Sequence, residues 1–193
     1  MKTLDLSKSA LVVIDLQKGI ADPSRHLEPN SVSDVISKTS EIANLFRSKN
    51  LPVFLVHVSF IDGKDMLSPY VETPPWSGSR NSDFSEFVTG LKQPTDIEIT
   101  KRQWSAFYGT ELDLQLRRRG IKTIFLCGIS TNIGVESTAR EAFQLGYDQV
   151  FVTDSMTAFS KEEHEGTLKF IFPRIGVLRT TDQAISMIGS KQS

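Results

Sequence analysis

The chain has 193 residues, 39% of them hydrophobic and 23% charged, which is enough apolar material for one full core in a single domain spanning 1–193. A formal net charge of −1 excludes partners selected by strong positive charge, so neither nucleic acid nor an anionic membrane surface is expected. No apolar run nears the roughly 18 residues that span a bilayer, the N-terminal residues lack a cleavable signal pattern, and with Cys127 as its single cysteine no internal disulfide forms; a cytoplasmic protein is expected.

Ser9 to Leu16, SALVVIDL, is an apolar run that predicts a strand buried on both faces, with Asp15 near its C-terminal tip. Gln17 shares a side with Asp15 in an extended chain, where it orients the acid, binds substrate, or plugs the strand end with hydrogen bonds. Val32, Val35, Ile36, Ile42, Ala43, Leu45 and Phe46 fall on one helical face, with Asn50 as the stop. Val53 to Phe60 is a second strand carrying one histidine, His57.

Ile61 to Thr95 is punctuated by glycine and proline and interleaved with aromatics, which predicts a functional lid or wall with a short helix near Ser82 to Thr89. Trp76 and Arg80 are its candidates for an aromatic and cationic grip on a carboxylate, with a solvated Arg80 as the alternative. Asp96 to Lys101 reads as a strand ending on Lys101. Gly109 or Thr110 opens a helix with arginines near its end and Gly120 as its stop.

Thr123 to Cys127 is again a buried strand, and it turns into a helix within a few residues. Ser130, Thr131 and Asn132 are candidate caps, with Glu136 placed to bond back towards them. Backbone N–H groups and the dipole at such a helix start favour a developing negative charge or an anionic ligand. Gln149 to Thr153, Lys161 to Phe172, Gly176 to Arg179 and Asp182 to Ile188 then read as strand, helix, strand and helix. Strands that are apolar runs alternating with helices predict a Rossmann-like three-layer α/β/α domain with a mostly parallel six-stranded sheet. Ligands bind beyond the carboxyl ends of such strands, where Asp15, Lys101 and the Ser130 to Gly134 turn all fall.

An aspartate, a lysine and a helix start around one pocket hold a substrate carboxylate or enol oxygen and move a proton, with Asp15 as acid or base and Lys101 fixing charge. The alternative is a structural cap at Asp15 and a solvated Lys101. Three separated segments, ALVVIDLQ, ITKRQWSAFYGTELD and LCGISTNIGVESTAREAF, with VTDSMTAFS beyond them, resemble in order the motifs of the isochorismatase-like hydrolase superfamily. The resemblance implies that superfamily's fold and a hydrolase acting on a small molecule. It matches Asp15 and Lys101 to two members of the catalytic triad and puts Gly134 where amidase members carry a nucleophilic cysteine.

It further implies a cis peptide at Ile129–Ser130 that turns the N–H groups of Ile133 and Gly134 towards an oxyanion, and a homodimer or higher homo-oligomer. Glycine offers no nucleophile, and the resemblance then implies the branch of true isochorismatases, with hydrolysis of an isochorismate-like vinyl ether, release of pyruvate and Asp15 serving as general acid. A silent carboxylate-binding or scaffold member and an amidase using Cys127 are the alternatives. Ser130, Thr131, Ile133 and Phe107 are candidate substrate contacts, Phe107 being otherwise core. His57 stands without the partners of a zinc cluster, so no metal and no cofactor are expected. His164 reads as a structural hydrogen-bonding residue.

Overall fold

The computed structural model describes residues 4–73 and 81–189. A 3-10 turn at Leu6–Lys8 leads into β1 (Ser9–Ile14), followed by α1 (Val32–Ser48), β2 (Val53–Val58), β3 (Ile97–Lys101), α2 (Leu112–Arg118) and β4 (Thr123–Ile129). A π-helical turn, Thr131–Val135, runs directly into α3 (Glu136–Gln144). The order closes with β5 (Asp148–Thr157), α4 (Lys161–Phe170), α5 (Phe172–Ile175), β6 (Val177–Arg179) and α6 (Thr181–Gly189).

The six strands pair in parallel in the order β3-β2-β1-β4-β5-β6. Every residue of β1 and β4 is buried, as their unbroken apolar runs require of strands covered on both faces. Alternation along β1 feeds two cores. Leu11 and Val13 pack with Phe46 of α1, Ala184 of α6, Phe125 and Cys127, while Val12 and Ile14 pack with Leu112 of α2, Ala139 of α3, Leu126 and Phe172. This is the predicted three-layer α/β/α architecture. From β1 the chain builds outward to β2 and β3, then returns to the other side of β1 for β4, β5 and β6. Connections leave β1 and β4 in opposite directions, so the crevice of the sheet opens at their C-terminal ends.

Several elements depart from the sequence pattern for local reasons. Residues 82–85 form turns instead of a helix, and Phe87 bridges Gln17 in antiparallel fashion. The N–H groups of Lys18 and Gly19 donate to the carbonyls of Glu86 (2.8 Å) and Phe84 (3.0 Å), and that of Val88 to Leu16 (3.1 Å). An outside partner satisfies this backbone, so no internal helix is needed. The helix expected over Lys161 to Phe172 breaks at Ile171, because Pro173 has no N–H to continue the ladder and instead opens α5. Glu136 does not bond back towards Ser130: its carboxylate accepts from Thr167 Oγ1 (2.6 Å) and Arg140 Nε (2.9 Å). Among the described residues no helix is long and apolar enough to cross a membrane.

Candidate active site

Asp15 ends the β1 run with a backbone φ of +55°, in the left-handed region that aspartate tolerates better than most residues. Its N–H is held by the Val56 carbonyl of β2 at 2.9 Å. Lys101 ends β3, two strands away, and its long side chain crosses the end of β2 to bring Nζ within 2.8 Å of Asp15 Oδ2. The same ammonium donates to the Trp104 carbonyl at 2.7 Å. Both groups are buried, with 5% of Asp15 and 1% of Lys101 exposed. Among the described residues Asp15 Oδ1 is buried without a hydrogen-bond partner. Burial pushes the Asp15 carboxyl above the usual carboxylate range, against the opposing pull of Lys101 and a smaller one of His57.

The turn after β4 completes the site. The Ile129–Ser130 peptide is cis, and the chain enters Thr131–Val135 with the Ser130 carbonyl accepting from the N–H groups of Ile133 (3.2 Å) and Val135 (3.1 Å). Gly134 lies against the ion pair: a Cβ built there stands 3.1 Å from Asp15 Oδ2, 3.1 Å from Lys101 Nζ and 3.1 Å from Ile14 Cγ2. Asp15, Lys101 and Gly134, drawn from three distant segments, therefore converge on one point.

The other predicted contacts are placed differently. Gln17 is fully buried: its Oε1 accepts from Val58 N–H (2.6 Å), and its Nε2 donates to the carbonyls of Val58 (3.0 Å) and Phe84 (2.9 Å). That leaves Gln17 no donor for a substrate and makes it the plug of the strand end. Phe107 is 5% exposed within the core, tilted on Tyr147 at 5.7 Å, and packs in the layer under α2 and α3. Thr131 is fully buried and its hydroxyl pairs with His164 Nδ1 at 2.8 Å. Ser130 Oγ donates to Asn132 Oδ1 at 2.8 Å, and the N–H of Ile133 is taken up by Ser130. Trp76 and Arg80 lie outside the described residues.

Cys127 sits on the α1 face of the sheet, against Thr39 Oγ1 at 3.8 Å, opposite the side where Ile14 meets Gly134. Burial pushes its thiol up to about 12. His57 stacks on Phe87 at 4.9 Å, with Nδ1 against the Ser85 carbonyl (2.6 Å) and Nε2 against Thr100 Oγ1 (2.9 Å). Both ring nitrogens are engaged in the wall beside Asp15. Among the described residues no group of three His, Cys, Asp or Glu side chains is placed to hold a metal ion.

Sequence reasoning missed the supports behind the pair: the Trp104 carbonyl, and Thr138 and Glu141 on α3. The carbonyl leaves no trace in a sequence. Thr138 and Glu141 follow Gly134 at helical spacing on one face, a periodicity that points at them once Gly134 is placed.

Residues 9–183 match the model of the isochorismatase domain. The chain belongs to the isochorismatase family. It is 53% identical over 190 residues to the uncharacterized isochorismatase family protein YwoC of Bacillus subtilis (strain 168), covering 96% of each chain. It is 43% identical over 190 residues to the uncharacterized family protein YecD of Escherichia coli O157:H7, covering 97% of this chain and 100% of that one. A more distant relative is Nicotinamidase 3 of Arabidopsis thaliana, 29% identical over 163 residues, covering 83% of this chain and 78% of that one. An isochorismatase family protein from Burkholderia thailandensis superposes with a TM-score of 0.92 at 44% identity, covering 97% of this chain and 98% of that one. As an isochorismatase family member the protein is a hydrolase.

Proposed function

We propose that this isochorismatase family hydrolase cleaves a small vinyl ether of the isochorismate type and releases pyruvate, with Asp15 as general acid and no thiol nucleophile. The observation that carries the reading is the asymmetry of the Asp15 carboxyl. Oδ2 is tied to Lys101 at 2.8 Å, while Oδ1 is buried and unpartnered. A carboxyl whose proton affinity is raised by burial carries its proton on the free oxygen.

Asp15 Oδ1–H gives its proton to the terminal vinyl carbon, and the C=C electron pair forms the new C–H bond. The positive charge is left on the ether carbon, while the new Asp15 carboxylate is stabilised by the Lys101 ammonium. Water adds to that carbon and returns a proton to Asp15. The resulting hemiketal breaks its C–O bond to the ring: the hydroxyl proton passes to the departing oxygen, the ring leaves as an alcohol, and the three-carbon fragment leaves as pyruvate. Two of the three Lys101 N–H donors are spent on Asp15 and Trp104, so the third serves a substrate oxygen.

Amide hydrolysis through Cys127 has no support in the geometry, because that thiol is un-ionised at neutral pH and lies across the sheet from the ion pair. The test is to incubate the purified protein with isochorismate and follow pyruvate. Turnover is expected to fall as pH rises through the elevated Asp15 pKa, and Asp15→Asn is expected to lower it by about 10² to 10⁴ in a protein that still folds. An Asp15→Asn variant with wild-type turnover refutes the assignment, and a wild type that binds small carboxylates without turnover supports the silent alternative.

A further inference from the structure

Thr138 and Glu141 are one helical turn apart on α3, on the side that meets the loop after β3. Thr138 is fully buried; its Oγ1 donates to the Gly134 carbonyl at 2.7 Å and accepts the Ala106 N–H at 3.0 Å. Glu141 Oε2 accepts the Ser105 hydroxyl and, at 3.3 Å, the Tyr108 N–H. Ser105 Oγ in turn accepts the Phe107 N–H at 3.2 Å. Three successive backbone N–H groups, of Ala106, Phe107 and Tyr108, are thus fixed by α3 directly or through Ser105. The residue just before this pinned stretch is Trp104, whose carbonyl holds Lys101 Nζ.

We propose that Thr138 and Glu141 are positioning residues: by pinning the backbone from Ser105 to Tyr108 to α3 they fix the Trp104 carbonyl, and through it hold the Lys101 ammonium against Asp15 and Gly134. The same helix face therefore sets two sides of the site at once, because Thr138 grips the Gly134 carbonyl with the hydroxyl that receives Ala106. The inference rests on Asp15 and Lys101 being the reaction centre.

Thr138→Val keeps the shape of the side chain and removes both hydrogen bonds. The fully buried Ala106 N–H then loses its acceptor, and the loop moves to find another. The charged or titratable groups that act on Asp15 are Lys101 and His57. A Lys101 drawn away pulls the carboxyl down less, so its titration moves upward. The experiment follows the Asp15 carboxyl by carbon NMR across pH, together with kcat and KM for pyruvate release.

Thr138→Val is expected to raise the Asp15 midpoint by about one pH unit, a tenfold change in proton affinity, and to lower kcat at least tenfold with KM little changed. Thr138→Ser, which retains the hydroxyl, should titrate as wild type. Glu141→Ala should move the midpoint the same way and Glu141→Gln, which keeps an acceptor oxygen, should not; these variants decide the question if Thr138→Val fails to fold, since Glu141 is only half-buried. A folded Thr138→Val or Glu141→Ala protein whose Asp15 titrates as wild type overturns the proposal and leaves both residues as plain structural staples. Absence of pyruvate release from the wild type would sink the vinyl ether reading instead, and the carboxyl titration would still decide the positioning role.

Discussion

Replacing Gly134 with alanine tests the convergence on which the site depends. The backbone at Gly134 belongs to the helical turn Thr131–Val135, so alanine meets no conformational barrier and the only obstacle is space. Its Cβ would stand 3.1 Å from Asp15 Oδ2, Lys101 Nζ and Ile14 Cγ2, where ordinary contact begins at 3.4 Å. Each neighbour must therefore yield by about 0.3 Å, and two of the three are the members of a buried ion pair. Overpacking of this kind costs about 1–3 kcal/mol, and the gain from replacing glycine in a helix offsets about 0.5–1 kcal/mol. The net loss is about 1 kcal/mol, or a fall in Tm of about 2–4 °C for a domain this size. Turnover suffers more than stability, because the displacement falls on the proton donor and its counter-ion; a drop of at least about tenfold in kcat corresponds to only about 1.4 kcal/mol of lost transition-state stabilisation. Thermal unfolding by circular dichroism and the pyruvate assay measure the two effects. Gly166→Ala is the control: nothing lies within 4 Å of its Cβ, so it should leave turnover alone and hold or raise Tm. Wild-type Tm and kcat in Gly134→Ala would refute the placement of Gly134 against the pair.

Cys127→Ala is expected to leave turnover unchanged while costing about 1 kcal/mol for the lost buried sulfur, and iodoacetamide at neutral pH should leave the native enzyme active; stoichiometric inactivation by alkylation would count against the assigned chemistry. His164, buried behind the turn with Thr131 as its partner, has its pKa lowered by burial, with Glu165 opposing. Its folded pKa thus lies below the unfolded value, so the unfolded chain binds the proton first and stability is lost as pH falls from about 6.5 towards the folded pKa. Urea unfolding across that window should show a shallower loss in His164→Asn than in wild type; identical slopes would remove His164 from the account.

Much of the architecture was legible in order along the chain. The runs at Leu11 to Ile14 and Thr123 to Leu126 have no polar alternation, which a strand tolerates only when covered on both faces, and this was enough to give a parallel sheet between helix layers. The irregular segment between β2 and β3 was less legible. Ser82 to Thr89 had the length and composition of a short helix, but the edge offered by Leu16 to Gly19 satisfied its backbone better. The polar side chains of the site divide in the same way. Asp15 and Lys101 stand at strand ends, where the pattern puts them beside the cleft and the family resemblance assigns their role, whereas the hydrogen bonds of Gln17 and Thr131 go to partners in distant segments that no spacing reveals.

The order of elements, the burial of their strands and the gathering of Asp15, Lys101 and Gly134 at the carboxyl edge follow from the sequence itself, because periodicity and chain order fix which ends of a parallel sheet point the same way. Which oxygen of Asp15 stays free, which carbonyl holds Lys101 and which face of the sheet receives the Cys127 thiol were decided only by tertiary packing. Each depends on hydrogen bonds or contacts between residues far apart in the chain, and a carbonyl or a buried void has no letter in the sequence.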